Sequence, residues 1–236
     1  MIRSSRSGFS LIELMVVIAI IGILAGLAFP ISQAAMRRSK RIECLNNMRQ
    51  WGDAFVSYLD NSRGIIPGNG SGLTDEKAWF NVLPPYLNGV NKPLKDMDPK
   101  PHPGNGIRSI FLCPADQRTD VAEATGYYSS YSFNTLLANV KRLRISNIRK
   151  PGELVIMSEV ADGTRNGVNL GMNFTGTDGE GNKLHAIRHA GSINLLLADG
   201  HAESAIGTAV WKEGIAAGED FGDYIWNPAK DGVVNE

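Results

Sequence analysis

The sequence has few cysteines and no excess of either charge. Its 236 residues include only two cysteines, which are too few for a disulfide scaffold and are not spaced like the ligands of a zinc site. Lys plus Arg and Asp plus Glu both number 24, so the formal net charge is zero. A chain without a basic excess gives no electrostatic reason to expect nucleic acid as a partner, and we expect none.

Catalytic motifs are also missing. The sequence contains no G-x-S-x-G, H-E-x-x-H, Walker A, G-x-G-x-x-G or C-x-x-C pattern. We therefore expect neither an enzymatic activity nor a cofactor.

One long apolar run is present, at the N-terminus. Sixteen residues from Leu14 to Phe29 have no charge, and counting from Phe9 extends the segment to twenty-one. As a helix this segment would be about 31 Å long, and a bilayer core is about 30 Å thick. The segment can therefore cross a membrane once, with Glu13 as the one charged residue inside it.

Glu13 needs an explanation, because a carboxylate within a membrane costs about 2.5–3.5 kcal/mol at the centre and less near an end. The charge is explained if a cation pairs with the Glu13 carboxylate within the membrane. Cleavage after Gly8 would create such a cation, the α-amine of Phe9, four residues before Glu13.

The segment from Arg6 to Leu14, RSGFSLIEL, resembles the processing site of type IV pilins and type II secretion pseudopilins. The resemblance implies that prepilin peptidase cuts after Gly8 and methylates Phe9. It also implies that Glu13 recruits the N-terminal amine of a neighbouring subunit, so that like subunits and other pilins are partners. Pro30 at the end of the span matches as well, and it is expected to kink the helix.

The same resemblance implies a location. The chain would be a single-pass protein of the bacterial inner membrane with its head in the periplasm or another extracytoplasmic space, and it would assemble into a filament. Charge alone disagrees, because four basic residues between 37 and 41 outnumber Arg3 and Arg6 before the span. The positive-inside rule would then leave the head in the cytoplasm. The processing motif is the more specific signal, and we follow it.

Two other functions stay open. Ser32-Gln33-Ala34 could be the cleavage site of an ordinary signal peptide, which would give an exported binding protein or enzyme that starts at Ala35. A minor pilin that binds a ligand, for adhesion or DNA uptake, would share the pilin export route.

Beyond the span the pattern stays helical to about Asp60. Apolar residues recur there at three- and four-residue spacing, at Ile42, Leu45, Met48, Trp51, Phe55, Tyr58 and Leu59. The segment 61–64, NSRG, is a stop signal. We predict a leader over 1–8, a transmembrane and assembly helix over 9–30, an amphipathic continuation over 31–63, and a β-rich extracytoplasmic head over 64–236.

The head is predicted to be a small, mostly antiparallel sheet with long loops, packed on the helix in an α+β fold. The strand candidates are Ser109–Leu112, Tyr127–Phe133, Leu154–Val160, Ser192–Ala198 and His201–Ala205. Asp199-Gly200 predicts a tight hairpin turn, because glycine accepts a positive φ. A short helix is expected within Ala78–Leu87, interrupted by Pro84-Pro85.

A second resemblance covers the head. It rests on the segments CLNNMRQ from Cys44, FLCPAD from Phe111, YSFN from Tyr131, and His189 followed by Asp199-Gly200. These are similar to the prepilin-associated proteins named for a His-x9-Asp-Gly signature. The resemblance supports the class of protein and adds little about mechanism.

Three candidate sites in the head have two interpretations each. His189, Asp199 and His201 could converge on a metal, or His189 could hydrogen-bond backbone while Asp199 serves the turn. Asp178, Glu180 and Asn182 could bind calcium, or belong to a plain polar loop. Cys44 and Cys113 could form a disulfide in an oxidising compartment, or remain buried thiols.

Overall fold

The structure is a computed structural model that describes residues 11–68, 74–97, 110–116, 129–134, 136–137, 143–159, 171–172, 188–206 and 224–225. The predicted leader, Gly8, Phe9 and the proposed calcium loop at 178–182 lie outside these ranges. The chain divides into two compact units, Met1–Ser39 and Lys40–Glu236, and each is described by itself.

A single helix, α1, runs from Leu11 to Asn61 and confirms the long N-terminal helix. It continues through Pro30. Its apolar half, residues 11–31, has its large apolar side chains exposed, from Leu11 at 74% to Ile31 at 69%. These side chains therefore form an exposed apolar surface along this half of the helix.

The second half of α1 is amphipathic. Cys44, Met48, Trp51, Phe55 and Leu59 are buried at spacings of three and four residues, which places them on one face. The apolar stripe on this half was predicted to begin at Ile42, but the Ile42 side chain is half exposed. The buried face begins at Cys44 instead.

The head contains a five-stranded sheet. Its strands are β1 (Tyr131–Asn134), β2 (Val155–Glu159), β3 (Gly171–Met172), β4 (Ser192–Leu197) and β5 (Ala202–Ile206). The order across the sheet is β3-β1-β2-β4-β5. The β1–β2, β2–β4 and β4–β5 pairs are antiparallel, as predicted, while β3 pairs with β1 in parallel.

Two strand predictions need correction. The described part of Ser109–Leu112 forms a turn and bend instead of a strand, and β3 was not predicted. The short helix in Ala78–Leu87 is present as α2 (Trp79–Val82), followed by a 3-10 turn at Pro84–Tyr86. Further 3-10 turns lie at Leu94–Asp96 and Ile145–Asn147.

Both faces of the sheet are buried at β2 and β4. On one face Ile156, Met157 and Leu196 belong to the same cluster as the buried side chains of α1. On the other face Val155, Ile193, Leu195 and Leu197 form a second cluster, on which Ala205 and Tyr224 pack. Because all five residues of β2 are buried, this strand lies at the centre of the head.

Aromatic rings join α1 to the loops around the sheet. The Trp51 ring meets Trp79 and Phe111 edge-on, with centroids 5.4 and 5.0 Å apart, and its indole nitrogen donates to the Ile110 carbonyl at 3.2 Å. Trp79 stacks on Phe133 of β1. Such pairs add about 0.5–1.5 kcal/mol each beyond the area that they bury.

Two glycines lie where α1 passes close to the turn between β4 and β5. Gly200, in the turn between β4 and β5, has φ +91°, which confirms the predicted need for glycine. A Cβ at Gly52 would lie 2.2 Å from the Gly200 carbonyl oxygen and 2.9 Å from a Leu196 methyl group. The helix can therefore approach the hairpin this closely only without a side chain at position 52.

We predict that Gly52→Ala lowers the free energy of unfolding of the head by about 1–3 kcal/mol, because the added methyl group forces helix and hairpin apart. Gly26→Ala is the matched control, since nothing lies within 4 Å of a Cβ there. Denaturant titrations of the full chain in detergent, followed by tryptophan fluorescence, report on the head, because all four tryptophans follow residue 50. An unchanged midpoint for Gly52→Ala would show that the close approach does not hold the helix.

Candidate functional site

The N-terminal half of α1 is the first candidate site. Glu13 lies in its first turn and is exposed among large apolar side chains such as Ile12 and Leu14, which are 71% and 57% exposed. By length and composition α1 can cross a membrane. Exposing a continuous apolar surface of this kind to water costs free energy. We therefore expect this segment to lie in a bilayer or among other helices.

The second candidate is a buried cluster in the head, formed by Cys44, Cys113, Glu159 and His189. One ligand atom from each, two sulfurs, a carboxylate oxygen and a ring nitrogen, lie within 4.8 Å of one another. Cys44 comes from α1, Cys113 from the loop before β1, Glu159 from the end of β2, and His189 from the turn before β4. Distant parts of the chain thus meet at one point.

Glu159 is at the centre of the buried cluster and is fully buried. Its Oε1 accepts a hydrogen bond from the Cys44 thiol at 2.5 Å and lies 2.9 Å from His189 Nε2. Asn194 donates twice, from its backbone N–H to Oε2 at 2.9 Å and from its side chain to Oε1 at 3.2 Å. These bonds compensate the carboxylate for its lost hydration.

The Nε2 atom of His189 has two neighbours in the buried cluster. It lies 2.9 Å from the Glu159 carboxylate and 3.4 Å from the Cys113 sulfur. Nδ1 of the same ring is buried and has no hydrogen-bond partner in the part of the head that the structure describes. A relay of the Cys-His-carboxylate kind needs the carboxylate on the opposite nitrogen from the thiol, so this arrangement is not such a relay.

The pKa values follow from these contacts. The hydrogen bond from Cys44, together with that of His189, outweighs burial and lowers the pKa of Cys113 to about 6. Burial alone would lower the pKa of His189, but its bonds to Cys113 and Glu159 raise it to about 9. Burial raises the pKa of Cys44.

A buried ion pair fixes two of the segments that form this cluster. Arg188 Nη2 lies 2.9 Å from Asp116 Oδ2, and the two side chains are 2% and 1% exposed. The Ser130 hydroxyl donates to the same carboxylate oxygen at 2.6 Å. Arg188 precedes His189 and Asp116 follows Cys113 by three residues, so the pair holds both loops in place.

The Asp199-Gly200 turn is separate in its chemistry. Asp199 Oδ1 accepts a hydrogen bond from the backbone N–H of His201 at 3.1 Å and lies 2.7 Å from its Nδ1. The Asp199 side chain thus hydrogen-bonds within the turn. The side chain of His189 pairs with the Glu159 carboxylate and not with a backbone group. In the ranges that the structure describes, His189, Asp199 and His201 do not form a metal-binding group.

Sequence reasoning singled out three members of the buried cluster separately and missed Glu159. A signal was available, because Glu159 ends the mostly apolar segment LVIMSE, in which only Ser158 is also polar, and a buried charge requires partners. The structure brings the two cysteine sulfurs close together but keeps them as free thiols.

Comparison with known proteins bears on the N-terminal half of α1. The family of the prokaryotic N-terminal methylation motif matches residues 3–29. Fimbrial protein EcpC of Eikenella corrodens is 52% identical over 95 residues, which cover 39% of this chain and 61% of that protein. The match thus spans less than two thirds of the relative, but it extends beyond the motif itself. No solved structure matches. The chain therefore carries the prokaryotic N-terminal methylation motif and shares a stretch of 95 residues with a fimbrial protein.

Proposed function

We propose that the chain is a structural subunit of a pilus-like filament, processed after Gly8 and methylated at Phe9 by prepilin peptidase. The observation that carries the proposal is the motif match over residues 3–29, which includes the start of an exposed apolar helix with Glu13 in its first turn. The inner membrane holds the subunit before assembly, and the head lies outside the cytoplasm.

The apolar half of α1 supports this proposal. A helix that is apolar on all sides is normally buried in a membrane or among other helices. Before assembly the bilayer provides that environment, and in a filament the same half of neighbouring subunits would provide it. An ordinary signal peptide would be removed with this segment and would have no use for Glu13.

Glu13 has a specific task in this proposal. Its carboxylate pairs with the N-terminal amine of Phe9 in an adjacent subunit. Within a low-dielectric surrounding an unpaired charge is strongly unfavourable, and an opposite charge nearby removes much of that cost. The pair would therefore favour one register of neighbouring helices over others.

The name of the similar protein favours a pilus over a secretion pseudopilus as the filament, since EcpC is a fimbrial protein. Like subunits and other pilins are the partners that we propose. The type II secretion pseudopilus is the second candidate, because the processing motif resembles that of both systems.

The first prediction concerns processing. The natural protein should start at N-methyl-Phe9, and Gly8→Leu should accumulate as an uncut precursor in the membrane, because a bulky residue blocks the peptidase site. Ser7→Ala is the neighbouring control and should still be cut. Mass spectrometry of the N-terminal peptide checks all three, and an intact Met1 or a start at Ala35 in the natural protein would refute the proposed processing.

The second prediction concerns assembly. Glu13→Val should be inserted and cut normally but lost from sheared filaments, because the charge that pairs with the Phe9 amine is gone. Glu13→Gln keeps the size of the side chain without its charge and should fail likewise, whereas Glu13→Asp should retain part of the assembly. Immunoblots of sheared and membrane fractions measure this. Normal assembly of Glu13→Gln would show that the charge has no role.

A further inference from the structure

The buried cluster of the head combines four donors, of three kinds that bind transition metals. Two thiols, one imidazole and one carboxylate place their ligand atoms within 4.8 Å of one another, and all four residues are buried. Tetrahedral zinc, with bonds of about 2.0–2.3 Å, separates neighbouring ligand atoms by roughly 3.3–3.8 Å. Glu159 Oε1 lies 2.5 Å from the Cys44 sulfur and 2.9 Å from His189 Nε2, which lies 3.4 Å from the Cys113 sulfur. All four ligand atoms lie within 4.8 Å of one another, so the separations in the cluster bracket the spacing that zinc requires.

Hydrogen bonds alone do not satisfy this arrangement well. His189 directs the same nitrogen, Nε2, at both the Cys113 sulfur and the Glu159 carboxylate. One ring nitrogen offers a single proton or a single lone pair. A cation at the point where these atoms converge would bind the nitrogen, the carboxylate and both sulfurs together.

The surroundings hold the donors in fixed positions. Asn194 donates two hydrogen bonds to Glu159, and the Tyr131 hydroxyl lies 3.1 Å from the Cys44 sulfur. Asn47 donates in turn to that hydroxyl at 3.2 Å. Together with the buried Arg188–Asp116 pair, these contacts are of the kind that orients metal ligands.

We propose that Cys44, Cys113, Glu159 and His189 bind one zinc ion, which joins α1 to the sheet and to two loops of the head. Sulfur and nitrogen ligands suit zinc, and a site with four protein ligands and no open position is structural, not catalytic. Binding requires both thiols to lose their protons, and Asn194 offsets part of the remaining negative charge. The site lies beyond the proposed filament function, and no sequence motif predicted it.

The main rival is a disulfide between Cys44 and Cys113. The head is proposed to lie in a compartment where disulfides persist, and the two sulfurs are close. A disulfide and the zinc site exclude each other, because the same sulfur atoms would be used. A pair of reduced thiols without metal is the third outcome.

The test uses the full chain purified in detergent without chelator. Elemental analysis should find about one zinc per chain, and native mass spectrometry should show reduced cysteines. Replacement of zinc by cobalt(II) should give a thiolate-to-cobalt charge-transfer band and the intense visible absorption of a tetrahedral site. The cobalt spectrum reports sulfur ligation in the unmodified protein, so the test does not depend on any variant folding.

Variants then identify the ligands. Cys113→Ser and His189→Ala should each lower the affinity for zinc by at least about 10- to 100-fold. His201→Ala is the matched control, because it removes a histidine from the exposed turn, and it should bind zinc as the parent chain does.

Three results would overturn the proposal. A mass that shows the two cysteines joined by a disulfide would assign the sulfurs to a bridge. Reduced thiols that bind neither zinc nor cobalt when these are added would leave the cluster as a hydrogen-bond network. Zinc that is lost in His201→Ala and kept in His189→Ala would place the ion at the turn. None of these results would affect the processing at Gly8, so the proposed filament function stands or falls separately.

Discussion

Burial of the Glu159 carboxylate is the constraint on which the rest of the head depends. A charge with no exposure to water must be bonded, and its partners come from α1, from the turn before β4 and from β4 itself. Of these partners, Cys44 contacts the Tyr131 hydroxyl, which accepts a hydrogen bond from Asn47, and His189 follows Arg188 of the buried Arg188–Asp116 pair. The central strand β2 thereby connects elements that lie far apart in the sequence, and the apolar clusters on both faces of the sheet close around it.

The two halves of α1 are adapted to different surroundings. From Cys44 onward one face packs on the head, and Gly52 lets the helix lie directly against the β4–β5 turn. Over residues 11–31 the helix is apolar except for Glu13 and its large apolar side chains are exposed, which suits a bilayer or a bundle of like helices. The prokaryotic N-terminal methylation motif, residues 3–29, covers most of the apolar half and none of the half that packs on the head.

Much of this architecture could be predicted from the sequence. The apolar run, the three- and four-residue spacing up to Leu59 and the Asp-Gly turn are local signals, and the helix, β4 and β5 lie close to where they predicted them. The buried cluster could not be predicted in this way, because Cys44, Cys113, Glu159 and His189 meet only through tertiary packing. Their spacings match no zinc motif, and the sequence signature pairs His189 with Asp199, not with Glu159. The parallel pairing of the two-residue strand β3 left no local signal either.

The central claim is that contacts to Glu159 hold α1 on the sheet. Hydrogen–deuterium exchange of Glu159→Leu, a variant that replaces the charge with an apolar side chain, tests it most directly. The account predicts faster exchange in residues 44–59 of α1 and in β4 together, because both lose a shared partner, with residues 11–31 unchanged in detergent. Exchange in 44–59 equal to that of the parent chain would contradict the account and leave apolar packing alone as what holds the helix.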